Sequence, residues 1–124
     1  MATQFDPDVV RRVAATEEID VETQAGPDAP AHHTTIWVVT DGDAVYVRSV
    51  RAARGRWYRE LMAHPSGAVW LDGQRLPMRA VPASDPATVE RVSAAYRQKY
   101  ATSPYMQSML AETVLPTTLR LDPS

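Results

Sequence analysis

The chain contains no cysteine, which excludes disulfides and thiolate metal sites and leaves redox compartment unread. No apolar run approaches the roughly 20 residues of a membrane-spanning helix. The opening "MATQFDPDVV" lacks the basic-then-apolar pattern of a secretory leader, so the expectation is a cytoplasmic protein with no membrane partner. Positive charge is not in excess either. The formal net charge is −2, and a general nucleic-acid binder needs a broad basic face to neutralise phosphates. Lysine is almost absent: one lysine stands against twelve arginines, a bias that suggests GC-rich coding.

What is present is ordinary for a globular protein. The 124 residues are 44% hydrophobic and 23% charged, enough for one domain over 1–124 with a real core. Asp6-Pro7 is an N-cap followed by a favoured first helical residue, and Val9, Val10 and Val13 share a face, so a helix is expected over 7–15. "EIDVETQ" alternates like a strand, and "AGPDAPAHH" is a loop. "TTIWVVT" and "AVYVRSV" are β-rich runs around Asp41-Gly42-Asp43, a strong hairpin signal. "GRWYRELMAHP" has helical spacing and stops before Pro65. "GAVWLDGQRLPMRAV" is a second hairpin, turning at Asp72-Gly73. "SDPATVERVSAAYRQKY" is a helix capped by Asp85, with Val89, Val92, Tyr96 and Tyr100 in one stripe. "TTLRL" closes the chain as a strand. Two hairpins and flanking strands around a helix predict an α+β protein: a small antiparallel split β-barrel of about six strands with flanking helices.

The densest charge lies in "RSVRAARGRWYREL", residues 48–61, which holds five of the arginines. A helix N-terminus offers free N–H groups and partial positive charge, and nearby arginines add forked donors that match phosphate. Strand alternation puts Arg48 and Ser49 on opposite faces. Because an unpaired buried charge is costly, Arg48 is expected to point at an outer groove. Gly55 permits close backbone approach, and positive φ if required. The expected anion site is therefore Arg48 and Arg51 with the backbone from Gly55 through Arg56 to Trp57, while Arg54 and Arg59 face solvent. The alternative is a solvated face, in which these arginines pair weakly with Glu60, Asp41 or Asp43. Trp57 fits a core anchor, and Tyr58 is the better candidate for the groove wall.

Other chemistry is thin. His32 and His33 are adjacent rather than at a ligand spacing, so no metal site is expected. Ser49 has no evident base to make it a nucleophile, so no catalytic residue is assigned. Tyr96 and Tyr100 read most simply as helix-to-barrel packing.

The stretch from Thr34 to about Ala83 resembles the split-barrel proteins of the deazaflavin-dependent nitroreductase type. The likeness rests on the Asp41-Gly42 hairpin, Ser49 at a strand end, the basic loop to Gly55, and the run Trp57, Tyr58, Leu61, Ala63, Pro65. The tail "AAYRQKYATSPYMQSML…TTLRLDP" is closer still to a small uncharacterised family with the same barrel. The resemblance implies a flavin-type oxidoreductase or cofactor-binding protein. It implies phosphate held at the loop after the second hairpin strand (Arg48, Ser49, Arg51, Gly55, Arg56, Trp57, Tyr58), the ring near His33, Thr34 and Trp37, a small-molecule substrate, and a homodimer. The family's basic loop before the first hairpin is replaced here by "QAGPDAPAHHT", which has no Lys or Arg. The cofactor choices therefore stay open: the deazaflavin coenzyme, FMN with its single phosphate, or none. The rival class is a non-catalytic barrel that binds a small anion or a protein.

Overall fold

A computed structural model describes residues 4–124. Helix α1 covers Pro7–Ala15, with Pro7 in the first turn; Asp6 occupies the cap position without a side-chain cap bond. The strands are β1 (Glu18–Thr23), β2 (His32–Trp37), β3 (Val39–Asp41), β4 (Ala44–Val47), β5 (Ser66–Leu71), β6 (Gln74–Pro82) and β7 (Leu119–Pro123). Helix α2 is Arg56–Ala63 and α3 is Pro86–Lys99, capped by Asp85, whose carboxylate accepts from the Thr88 amide and hydroxyl. Short 3₁₀ turns lie at Ala52–Arg54, Met106–Leu110 and Leu115–Thr117.

All pairings are antiparallel, and the seven strands form one sheet in the order β2-β1-β5-β6-β7-β4-β3. The two edge strands, β2 and β3, are consecutive in the chain, so the sheet curls until its edges meet at Val38. This is the expected split barrel with seven strands rather than about six. The run 34–40, expected as one strand, is broken at Val38. Its first part pairs with β1 (Ile36 opposite Ile19) and only its second part pairs with β4 (Val39 opposite Tyr46). The backbone of Val38 is served by side chains instead of a neighbouring strand. Its N–H donates to Tyr100 Oη at 3.1 Å, and its carbonyl accepts from Lys99 Nζ at 2.7 Å.

Both Asp-Gly hairpins form where expected. Gly42 has φ +59°, and Asp72 and Gly73 have φ +52° and +78°, the left-handed conformations that primed turns demand. Inside the barrel, Val45 and Val47 of β4 join Val13, Ile19, Val21, Leu61, Val69 and Leu121. A second cluster lies outside, where Val39 and Tyr46 meet Val92, Tyr96, Tyr100, Met109 and Val114. Strand β4 is thus buried on both faces, between the barrel interior and α3.

Candidate functional site

The loop from β4 to α2 is built around one close contact. Ser49 Oγ donates to the Ala52 carbonyl at 2.8 Å, and the Ala52 amide returns a bond to the Ser49 carbonyl at 2.9 Å. Ala52 has φ +57°, a left-handed conformation that costs a non-glycine residue roughly 1 kcal/mol or more. Gly55 has φ −61°, so positive φ is not why glycine stands there. A Cβ at Gly55 would collide with Ser49 Oγ. The glycine lets the loop fold back against Ser49 and start α2, whose first turn has no side-chain cap and no acidic residue.

Beside this loop runs a groove along β2. Its polar end, 410 Å³, is lined by Thr34, Ser49, Arg51, Gly55 and Arg56. Its apolar end, 340 Å³, is walled by Trp37, Tyr105 and Met109, with Glu18 on its lining. Thr35, Ile36, Val50 and Trp57 belong to both. Among the described residues no carboxylate pairs with Arg51 or Arg56. Of the carboxylates that could have paired with them, Asp41 and Glu60 are engaged elsewhere. Asp41 accepts from Arg91 at 2.9 Å. Glu60, 8% exposed, accepts from Thr23 Oγ1 at 2.7 Å and lies 2.8 Å from His32 Nδ1.

Arg48 corrects the expectation. Its residue is 1% exposed, and although it lines the apolar end its guanidinium turns inward toward α3. Its guanidinium donates to Thr118 Oγ1 (2.8 Å), Ser93 Oγ, the Met109 carbonyl and the Val89 carbonyl (each 3.0 Å), and it lies over the Tyr96 ring. Four neutral acceptors take four of its five N–H groups, among the described residues no carboxylate balances its charge, and desolvation pushes its pKa below the ordinary arginine value. Such a side chain holds the C-terminal turns against the barrel and gives a positive character to the wall it shares with the apolar end.

Two further expectations are corrected. His33 lies away from the groove, 3.1 Å from Asp20 and tilted against Trp70. Strand alternation places His32 on the other face, with Glu60. Tyr58 packs against the barrel core, edge-on to Trp57, and lines neither end of the groove. Trp57 is buried at 7% and also walls both ends. Trp37 lines the apolar end and stacks on Tyr100, centroids 3.9 Å apart. Thr34, Ser49, Arg51, Gly55 and Arg56 come together at the polar end, while Arg54 and Arg59 are exposed. Val50 and Met109 were not anticipated. Val50 is 56% exposed and Tyr105 72%; nothing in the periodicity of "TSPYMQSML" announces that its irregular turns return to β2.

The family model described as "Uncharacterized protein conserved in bacteria (DUF2255)" matches residues 9–121. The chain belongs to this family. This agrees with the likeness of its tail to a small uncharacterised group. No curated protein matches the sequence. Among solved structures, the conserved hypothetical protein Rv2991 from Mycobacterium tuberculosis is similar at 15% identity and TM-score 0.70, covering 98% of this chain and 80% of that one. HutZ, the heme storage protein from Vibrio cholerae, is similar at 11% identity and TM-score 0.67, covering 98% and 91%. The F420-H2 Dependent Reductase FDR-A is similar at 12% identity and TM-score 0.64, covering 86% and 93%. These likenesses establish the split-barrel fold, and the different ligands these proteins are named for leave function to the residues of the site. Among the described residues no helix is long and apolar enough to cross a membrane.

Proposed function

We propose that the groove binds a flavin-type cofactor, with the ring system in the apolar end and the phosphate at the polar end. The observation that carries this reading is the pairing of an apolar slot with two uncompensated arginines at one end of the same groove. Arg51 and Arg56 hold the phosphate as forked donors, joined by the free N–H groups of the first turn of α2. Trp57 and Ile36 flank the ring. The uncompensated charge of Arg48 favours electron-rich or anionic groups beside its wall. When bound, the cofactor supplies the hydride chemistry, and the chain supplies binding, orientation and exclusion of water.

FMN is the better match of the two flavin types. The segment that would grip a longer polyanionic tail, "QAGPDAPAHHT", carries no basic residue other than histidine. In the structure Gln24 ties that loop to itself through the Gly26 and Pro27 carbonyls. We also propose a homodimer, in which a second copy covers the exposed Val50 and Tyr105 at the open rim of the ring slot. A chain that stays a monomer in sedimentation at micromolar concentration speaks against this.

The test of the cofactor reading is calorimetric titration of wild type with FMN, the deazaflavin coenzyme and inorganic phosphate, repeated for Arg51→Ala, Arg56→Ala and Arg59→Ala. Losing one phosphate-gripping arginine costs about 1.5–3 kcal/mol, roughly tenfold to hundredfold in affinity. Arg59→Ala is expected to cost little. If none of the ligands binds wild type, the cofactor reading fails, and the rival reading of a barrel that binds another anion or a protein takes its place. Equal losses at Arg51 and Arg59 mean that the phosphate site is wrongly placed.

A further inference from the structure

The chain's one lysine among thirteen basic residues is Lys99, and the groove does not use it. It ends α3, on the far side of β3, partly buried. Its Nζ donates to the Val38 carbonyl at 2.7 Å and the Val13 carbonyl at 3.1 Å. Among the described residues no carboxylate pairs with it. Beside it opens a separate cavity of 300 Å³, lined by Ala14, Val39, Thr40, Ala95 and Gln98.

A neutral amine has two N–H bonds and one lone pair. With both N–H bonds held by the two carbonyls, the lone pair occupies the remaining tetrahedral direction, away from the backbone acceptors. Desolvation, opposed by the negative charge of Glu17, pulls Lys99 from the ordinary 10.5 down to about 8, with the Tyr100 ring 5.4 Å from its Nζ, so the amine is abundant in mildly alkaline solution. We propose that Lys99 is an acyl-acceptor site, modified directly by activated acyl donors of the acyl phosphate or thioester class.

The step balances without a further reagent. The amine lone pair attacks the acyl carbon and a C–N bond forms. The bond from that carbon to the phosphate oxygen or thiolate sulfur breaks, and the leaving group departs with the electron pair. The proton lost from nitrogen goes to the leaving group or to solvent. The Thr40 hydroxyl and the Gln98 amide supply the polar groups on the cavity wall for the acyl oxygen. The product is a neutral amide with one N–H, so at most one of the Val13 and Val38 carbonyls keeps its bond.

The experiment incubates the whole chain with acetyl phosphate, and in parallel with an acetyl thioester of pantetheine, between pH 7 and 10.5. Acetylation of the Lys99 peptide is followed by mass spectrometry after cleavage at arginine, with N-acetyl-lysine amide in the same tube. At pH 8 the amine fraction exceeds that of an ordinary lysine by about a hundredfold, and lower basicity gives back roughly tenfold in nucleophilicity. The expected net excess is therefore about tenfold in the folded chain, with a rate that levels off above pH 8. In urea the excess disappears. A folded-state rate no faster than the reference, a rate that climbs unchecked to pH 10, or an excess that survives unfolding each overturns the proposal. Reaction with one donor only narrows the donor class and upholds the site.

Discussion

Replacing Gly55 with alanine asks whether the β4–α2 loop is held by the contact between Gly55 and Ser49. The new Cβ would meet Ser49 Oγ at a distance that real side chains do not show. Either the hydroxyl rotates away and gives up its 2.8 Å bond to the Ala52 carbonyl, or the loop shifts. The first route costs about 0.5–1.5 kcal/mol and the second about 1–3 kcal/mol. Two smaller effects nearly cancel. Alanine reduces unfolded-chain entropy by about 0.4–1 kcal/mol, φ −61° being open to it, but it is a poorer helix cap by a similar amount. The cheaper route sets the outcome, so Gly55→Ala should cost about 0.5–1.5 kcal/mol. In a Ser49→Ala background the obstruction is gone. The remaining neighbours, Ala52 O and Ser49 Cβ, are each 3.7 Å away, an ordinary contact, so the same change should be near neutral. Urea unfolding of wild type, both single variants and the double variant gives the coupling from four midpoints at constant slope. A Gly55→Ala cost that is equal in the two backgrounds refutes the argument.

Arg48→Met should destabilise by about 3–5 kcal/mol, because the Val89 and Met109 carbonyls lose their buried partner; chemical denaturation measures it, and a loss below about 1 kcal/mol would show that desolvation outweighed the four bonds. Tyr100→Phe should cost about 1–3 kcal/mol by orphaning the Val38 N–H, whereas Tyr96→Phe should leave stability unchanged or higher, since Tyr96 Oη has no hydrogen-bond partner among the described residues. The same denaturation series separates the two tyrosines. Glu22, bonded to Arg75 at 2.8 Å and to Trp70 Nε1, is held down at about 2 from 4.5, chiefly by the Arg75 bond. A depressed carboxylate stabilises the fold above its unfolded value. That contribution is lost as pH falls from about 4.5 to about 2, and it amounts to up to about 3 kcal/mol before screening at the half-exposed Arg75. Arg75→Ala should flatten this acid limb in a pH series of thermal melts, and an unchanged limb would mean that the pair contributes nothing.

The features legible in the sequence were the local ones. Pro7, Asp85-Pro86 and the two Asp-Gly pairs set helix starts and turns through their own backbone preferences, and the barrel follows from the order of elements between them. The break at Val38 was not legible, because "TTIWVVT" is uniformly β-forming and the choice of partner strand is made by residues far away. Arg48 was misplaced for a related reason. Alternation separates it from Ser49, but when both faces of β4 are covered it cannot say which face leads to solvent. The same ambiguity put His33 at the groove, whereas it lies against Asp20 and Trp70. At the groove, Arg51, Gly55, Arg56 and Trp57 were found because they share one short loop. Met109 was missed because it arrives from irregular turns about fifty residues later along the chain.

The meeting of β2 and β3 at Val38 also makes one residue the hinge pin of the whole wall. Elsewhere the sheet is sewn by ladders of hydrogen bonds that can slip or fray singly, but here its margins are tied by covalent bonds. Lengthening the chain at this point by a few residues would leave every local propensity intact and yet free two strand margins, each with unpaired N–H and C=O groups able to recruit another chain. Tolerance to insertion should therefore be lowest at a site that a propensity profile would rank as unremarkable strand.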